Sequence, residues 1–137
     1  MSTKKRRQKE AAQQLASRQA IGKFALYKGK NAEERSLLAI TSHYRDPELF
    51  WVVRARRATK LEDRKGIDIV VQTSDIGRLF IQIKSSRRGA DKFLREHSGS
   101  KAAVVIVREE YSDAQVLRAV KRILLELRTC RIRKLKS

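Results

Sequence analysis

The sequence predicts a single three-layer α/β domain, a mixed β-sheet flanked by helices, in the order helix, three strands, short helix, strand, helix. Three observations carry that expectation. Apolar residues recur at helical spacing at Leu37, Ile40 and Tyr44, and again through Val116, Leu117, Val120, Ile123, Leu124 and Leu127. Between these segments, two adjacent runs alternate with period two, Ile67–Gln72 and Arg78–Ser85. Ala102–Val107 is a continuous apolar run, the pattern of a strand buried on both faces. At 137 residues the chain has room for one domain of ordinary size.

Each element has its own local signals. Asn31 can cap the first helix, with Glu33 and Glu34 in its first turn, where negative charge suits the macrodipole; the helix is expected to end near Tyr44, before Asp46 and Pro47. Leu49–Ala55 reads as a strand, followed by a charged loop through Lys65. Gly66 opens the next strand and Gly77 closes a short turn, so the two alternating runs form a hairpin. Residues 91–97 form a short helix ended by Gly99, and Ser112 with Asp113 starts the final one.

Lys and Arg number 33 against 15 Asp and Glu, a formal charge of +18. Such an excess points to a polyanionic partner. Residues 1–30 hold nine basic groups and one acidic, and residues 118–137 hold eight and one, so the middle of the chain is nearly balanced. The chain therefore divides into a basic arm or helix over 1–28, a domain over 29–128 and a basic tail over 129–137. No apolar run approaches the roughly 20 residues a bilayer requires. Glu10, Gln13 and Gln14 stand where a secretory core would lie, and one cysteine, Cys130, with His43 and His97 gives neither an internal disulfide nor a structural zinc set. A cytoplasmic protein with no membrane partner is expected.

Polar residues interrupt the apolar pattern at one place. On the hairpin, Asp68 shares a face with Val70 and Gln72, and Gln82 and Lys84 share one with Phe80; with the turn centred near Asp75, Asp68 falls beside Gln82 or Lys84. Four residues before Leu37, Glu33 lies on the helix stripe that faces the sheet. A carboxylate aimed at a core must be paired or bind a cation. Two carboxylates, a side-chain amide and a backbone carbonyl make a hard oxygen set suited to Mg²⁺, and a nearby lysine can hold an attacking water and stabilise phosphate charge. Phosphodiester hydrolysis fits these groups without His or Cys.

Asp68, then Gln82-Ile83-Lys84 fourteen to sixteen residues later on the next strand, with Glu33 on an upstream helix, resembles the PD-(D/E)XK nuclease superfamily and its restriction-endonuclease-like fold. Gly29-Lys30-Asn31-Ala32-Glu33, Gly66-Ile67-Asp68-Ile69-Val70 and Gln82-Ile83-Lys84-Ser85-Ser86 look most like its small members related to archaeal Holliday-junction resolvases, over roughly residues 29–107. The resemblance implies a DNA endonuclease using Mg²⁺ or Mn²⁺. Glu33, Asp68, Gln82 and the Ile83 carbonyl would form the metal site, and Lys84 would be the catalytic lysine. It further implies double-stranded or branched DNA as substrate, and a homodimer to which the final helix could contribute. Ile67 stands where the family name has proline, and Gln82 replaces the usual acidic residue.

Lys4, Lys5, Arg6 and Arg7 read as an electrostatic arm. Arg54, Arg56, Arg57, Arg87 and Arg88 are either phosphate contacts lining the approach to the site or a solvated charged surface. Phe50, Trp51 and Phe80 are assigned to the core. The rival function is a non-catalytic binder of DNA or structured RNA built on an inactive nuclease-like fold.

Overall fold

Valine and isoleucine, stiff at their branched β-carbons, dominate the central runs and favour extended chain. In the computed structural model, which describes residues 31–136, these runs form a four-stranded sheet. The strands are β1 (Val52–Arg57), β2 (Ile69–Thr73), β3 (Arg78–Lys84) and β4 (Ala103–Ile106), in spatial order β1-β2-β3-β4. β1 and β2 pair antiparallel, as do β2 and β3, whereas β3 and β4 are parallel. Helix α1 covers residues 31–41, α2 is Lys60–Arg64, α3 is Arg87–Glu96 and α4 is Asp113–Lys136. The mixed α/β architecture is thus as expected. The arm over 1–28, with Lys4, Lys5, Arg6 and Arg7, lies outside the described residues.

Several boundaries differ from the expected ones. Asn31, expected as a cap, is already helical, and α1 stops at residue 41, giving way to two 3₁₀ turns, His43–Arg45 and Pro47–Leu49. Tyr44 is consequently exposed, and the buried stripe of α1 is Ala32, Ser36 and Ile40, with Leu37 packed at its edge. The segment read as a charged loop contains α2, which is fixed by a capping box. Glu62 N–H donates to Thr59 Oγ1, and Thr59 N–H donates to Glu62 Oε1. Helix α3 begins at Arg87 because Ser86 Oγ accepts from Gly89 N–H at 3.0 Å. Helix α4 runs on through Lys136, so most of the expected basic tail is helical.

One face of the sheet carries Ile69, Val71, Leu79, Ile81, Ile83 and Val105 into a core with α1 and α4, where Ile40, Val116, Val120 and Leu124 meet them. Burying each such side chain stabilises the fold by about 1.5–3 kcal/mol. Helix α3 lies along β3 and β4 on the Lys84 side, with Gly89 against the Lys84 side chain and Ala90 and Phe93 buried. Phe50, assigned to the core, is instead exposed, while Trp51 is buried and donates from Nε1 to Glu48 O at 2.9 Å.

The hairpin turn is built by Thr73 and Gly77. Thr73 donates to Gly77 O through both its N–H and its hydroxyl, and Gly77 sits at φ +83°. At the far end of the sheet, α4 reaches back to this turn. Arg131 donates to Ile76 O at 2.7 Å, and Arg128 pairs with Asp75 at 2.8 Å while its guanidinium covers the rings of Trp51 and Phe50. Among the described residues no helix is long and apolar enough to cross a membrane.

Gly66 is constrained twice, by φ +84° and by a β-carbon position only 2.7 Å from Phe93 Cζ. Gly66→Ala should therefore cost about 1–3 kcal/mol in chemical denaturation. Gly99→Ala, with nothing within 4 Å of the added atom, should stay within about 0.5 kcal/mol of wild type.

Candidate active site

Antiparallel register decides where Asp68 falls. β2 and β3 pair Ile69 with Ile81 and Gln72 with Arg78, but the next bond slips by one residue, so that Asp68 as well as Ile69 faces Ile81, one residue short of Gln82. Asp68 N–H donates to Ile81 O at 2.8 Å. Its side chain then takes over from the ladder, Oδ2 accepting from Ile83 N–H at 2.7 Å. The carboxylate thus fills the position the next β2 residue would have occupied. Within a strand, the N–H and C=O of one residue point to the same side. The Ile83 carbonyl therefore also faces the β2 side, beyond the last paired residues Ile69 and Ile81.

Gln82 alternates with the core residues Ile81 and Ile83, so its amide is on the opposite face of the sheet. It is only 7% exposed, yet its side chain has no hydrogen-bond partner among the described residues. Glu33 comes from the start of α1, half-buried, with its Oε1 3.8 Å from Arg57. The same guanidinium lies 3.5 Å from Glu34. Asp68 adds to the burden of charge on Glu33. Burial holds the Glu33 carboxyl above its ordinary 4.5, and the neighbouring Asp68 adds to this against the pull of Arg57. Burial likewise raises Asp68 above 3.8, partly offset by the Ile83 N–H.

Asp63, at the end of α2, adds negative potential to both carboxylates. It escaped the sequence reading because its helix did, although Thr59-Lys60-Leu61-Glu62 is a capping-box signature. Lys84 is half-buried, with Nζ 5.3 Å from the centroid of Phe93, which in turn stacks on His97 at 4.6 Å. It lowers the proton affinity of Glu33 and Asp68 from a distance but makes no ion pair within 4.0 Å among the described residues. Its charge is available to an incoming anion.

The quartet Glu33, Asp68, Gln82 and Lys84 therefore gathers at one end of the sheet. The arginines divide. Arg56 is held in a two-pronged pair with Glu62, at 2.8 and 3.0 Å, which pushes the Glu62 carboxyl down to about 2. Arg57 serves Glu33 and Glu34, and Arg87 pairs with Asp91 at 3.6 Å. Arg54 and Arg88 are exposed and have no acidic partner among the described residues.

Among the described residues no group of three or more His, Cys, Asp and Glu side chains converges as metal ligands. The donors at this end of the sheet are instead two carboxylates, an unpartnered amide and a carbonyl past the end of its ladder. All are hard oxygen donors, and Mg²⁺ needs only one or two carboxylates because it keeps several waters. The residues present fit such an ion. Comparison of the chain with protein-family models, curated proteins and solved structures gives no match.

The raised carboxyl groups make a signed prediction. A carboxyl whose folded pKa exceeds its unfolded value stabilises the fold fully below the unfolded value and loses that contribution as pH rises through the folded one. At pH 7 Glu33 and Asp68 are therefore a burden that a neutral isostere relieves. Glu33→Gln and Asp68→Asn should both melt higher than wild type at pH 7, and the advantage should shrink toward zero below about pH 4. Thermal melts across that range check it.

Proposed function

We propose that the protein is a divalent-metal-dependent DNA endonuclease of restriction-endonuclease-like build. The observation that carries this reading is the convergence of Glu33, Asp68 and Gln82 where β2 and β3 part, with the Lys84 ammonium, which has no ion pair among the described residues, two residues along the strand. A structural role alone does not account for it, because a buried carboxylate, Asp68, beside a half-buried one, Glu33, is costly. The element order and the basic composition support the same reading.

Glu33, Asp68, the Gln82 amide oxygen and the Ile83 carbonyl would hold Mg²⁺ or Mn²⁺. Such an ion supplies Lewis acidity, neutralising phosphate charge and lowering the pKa of an attacking water. Lys84 contributes a fixed positive charge, stabilising the excess negative charge that develops on the phosphoryl oxygens. Phe93 and Gly89 pack against the Lys84 stem and ammonium, which limits the orientations it must lose on binding. Arg54 and Arg88 are the candidates for backbone contacts beside the site. Branched DNA is the substrate suggested by the resolvase resemblance.

One feature favours the rival reading, a non-catalytic DNA or RNA binder: Gln82 supplies a neutral amide where the family motif has a carboxylate. Cleavage assays on linear duplex and four-way-junction DNA, with Mg²⁺ or with EDTA, separate the two. Wild type should cut only with metal, and Asp68→Asn and Lys84→Ala should each slow cutting by about 10²-fold or more. Mn²⁺ at a hundredfold over its dissociation constant should stabilise wild type by about 2.7 kcal/mol and leave Asp68→Asn unmoved. Wild type that binds DNA but never cuts it establishes the binder.

A further inference from the structure

We infer that the solvent face of α4 is a docking surface for duplex DNA, separate from the cleavage site. The helix sorts its cations by face. Lys121, Arg128 and Arg131 turn toward the body of the protein, where they engage Asp46 and Glu48, Asp75, and the Ile76 carbonyl. Arg118, Arg122, Arg133 and Lys136 are exposed and fall within about 60° of one another around the helix. That sector is opposite the one holding Val116, Val120 and Leu124, the buried residues of α4. Arg122 is tied to Glu126 at 3.3 Å, whereas Arg118, Arg133 and Lys136 have no acidic partner among the described residues.

Helix stability does not account for this row. Cations in the last turn suit the macrodipole, and Arg133 and Lys136 are of that kind. Arg118 stands in the second turn, near the positive end of the helix, where a cation gains nothing from it. The row runs about 27 Å along a straight helix, a length over which duplex DNA presents about 16 phosphates.

The stripe also indicates the class of partner. Thr129 lies between its charged ends, and no aromatic residue is on it, so it offers no platform for stacking unpaired bases. Nor does it have the apolar centre that a protein interface needs. A rigid helix that carries Arg118, Arg133 and Lys136 without acidic partners among the described residues suits the regular backbone of a duplex.

Two of the proposed cleavage residues, Gln82 and Lys84, are on the other side of the sheet. Gln82 and Lys84 alternate with Ile81 and Ile83, and it is Ile81 and Ile83 that join α4 in the core. A straight duplex held on the α4 face therefore does not reach Gln82 or Lys84. This inference takes from the endonuclease reading only the identity of the polyanion.

The test is binding of full-length protein to a 30-base-pair DNA duplex in EDTA, by anisotropy from 50 to 200 mM salt. The triple variant Arg118→Gln, Arg133→Gln, Lys136→Gln should bind at least about tenfold more weakly at 100 mM salt, with a slope of log K on log salt shallower by about 2–3. The double variant Arg122→Gln, Glu126→Gln, which removes no net charge, should keep the wild-type slope. All substituted side chains are exposed, and a thermal melt confirms that both variants fold. An unchanged slope in the triple variant, an equal loss in the double variant, or tighter binding to duplex RNA of the same length overturns the proposal. Wild type that never cuts DNA but loses this slope in the triple variant removes the endonuclease reading and leaves the docking surface standing.

Discussion

The hydrogen bond from Ile83 N–H to Asp68 Oδ2 is the contact on which the site depends. Up to Asp68 the hairpin is held by backbone pairing, and past it a side chain performs that task. The exchange has a chemical result. It fixes one carboxylate oxygen in the sheet and, since a carboxylate has two, leaves the other for a different partner. It also ends β2 while β3 continues, which leaves the Ile83 carbonyl without a strand beside it and brings Gln82 and Lys84 to the margin of the sheet. Glu33 then needs only to arrive from α1, and Arg57, at the end of the neighbouring β1, meets it there.

Opposite ends of the sheet use charge in opposite ways. Around Asp68, carboxylates are crowded and partly desolvated; Arg57 is shared between Glu33 and Glu34 at 3.8 and 3.5 Å, and Lys84 makes no ion pair among the described residues. Around the hairpin turn, pairing is close. Arg128 is clasped between Asp75 and the rings of Trp51 and Phe50, and its buried Nη1 meets no hydrogen-bond acceptor among the described residues, so the aromatic faces offset part of its desolvation. Helix α4 joins the two ends. Arg35 of α1 fastens its start through Asp113 and the Tyr111 carbonyl, while Arg131 fastens its later turns to the hairpin. Stability is concentrated where no chemistry is required.

How much was legible in the sequence depended on whether the signal was local. Alternation and the spacing of turn residues in the hairpin put Asp68 near Gln82 or Lys84, because a period of two leaves few registers to choose from, but did not reveal the one-residue slip that sets its N–H on Ile81 O and its carboxylate on Ile83 N–H. Glu33 was found by counting from Leu37, although the stripe it was assigned to is formed largely by Ala32 and Ser36, small residues that carry little hydrophobic signal. The same weakness let Tyr44 stand in for a core residue. Helix α2 was hidden by its length: five residues cannot display helical periodicity, so only its capping box marked it. The basic C-terminal segment was misread for another reason. A charge count cannot tell Arg131, which donates to a carbonyl 55 residues away, from Arg133, which meets solvent.

The turn closed by Thr73 and Gly77 has a consequence for how this chain can change over time. Since successive strand residues face opposite ways, pairing that slips by one residue would send Gln82 and Lys84 into the hydrocarbon core and bring Ile81 and Ile83 to the surface. Loop length elsewhere is free to drift, but here a one-residue insertion or deletion is equivalent to inverting the sheet. Point substitutions can alter the site gradually. The five residues from Thr73 to Gly77 can be respelled but not recounted.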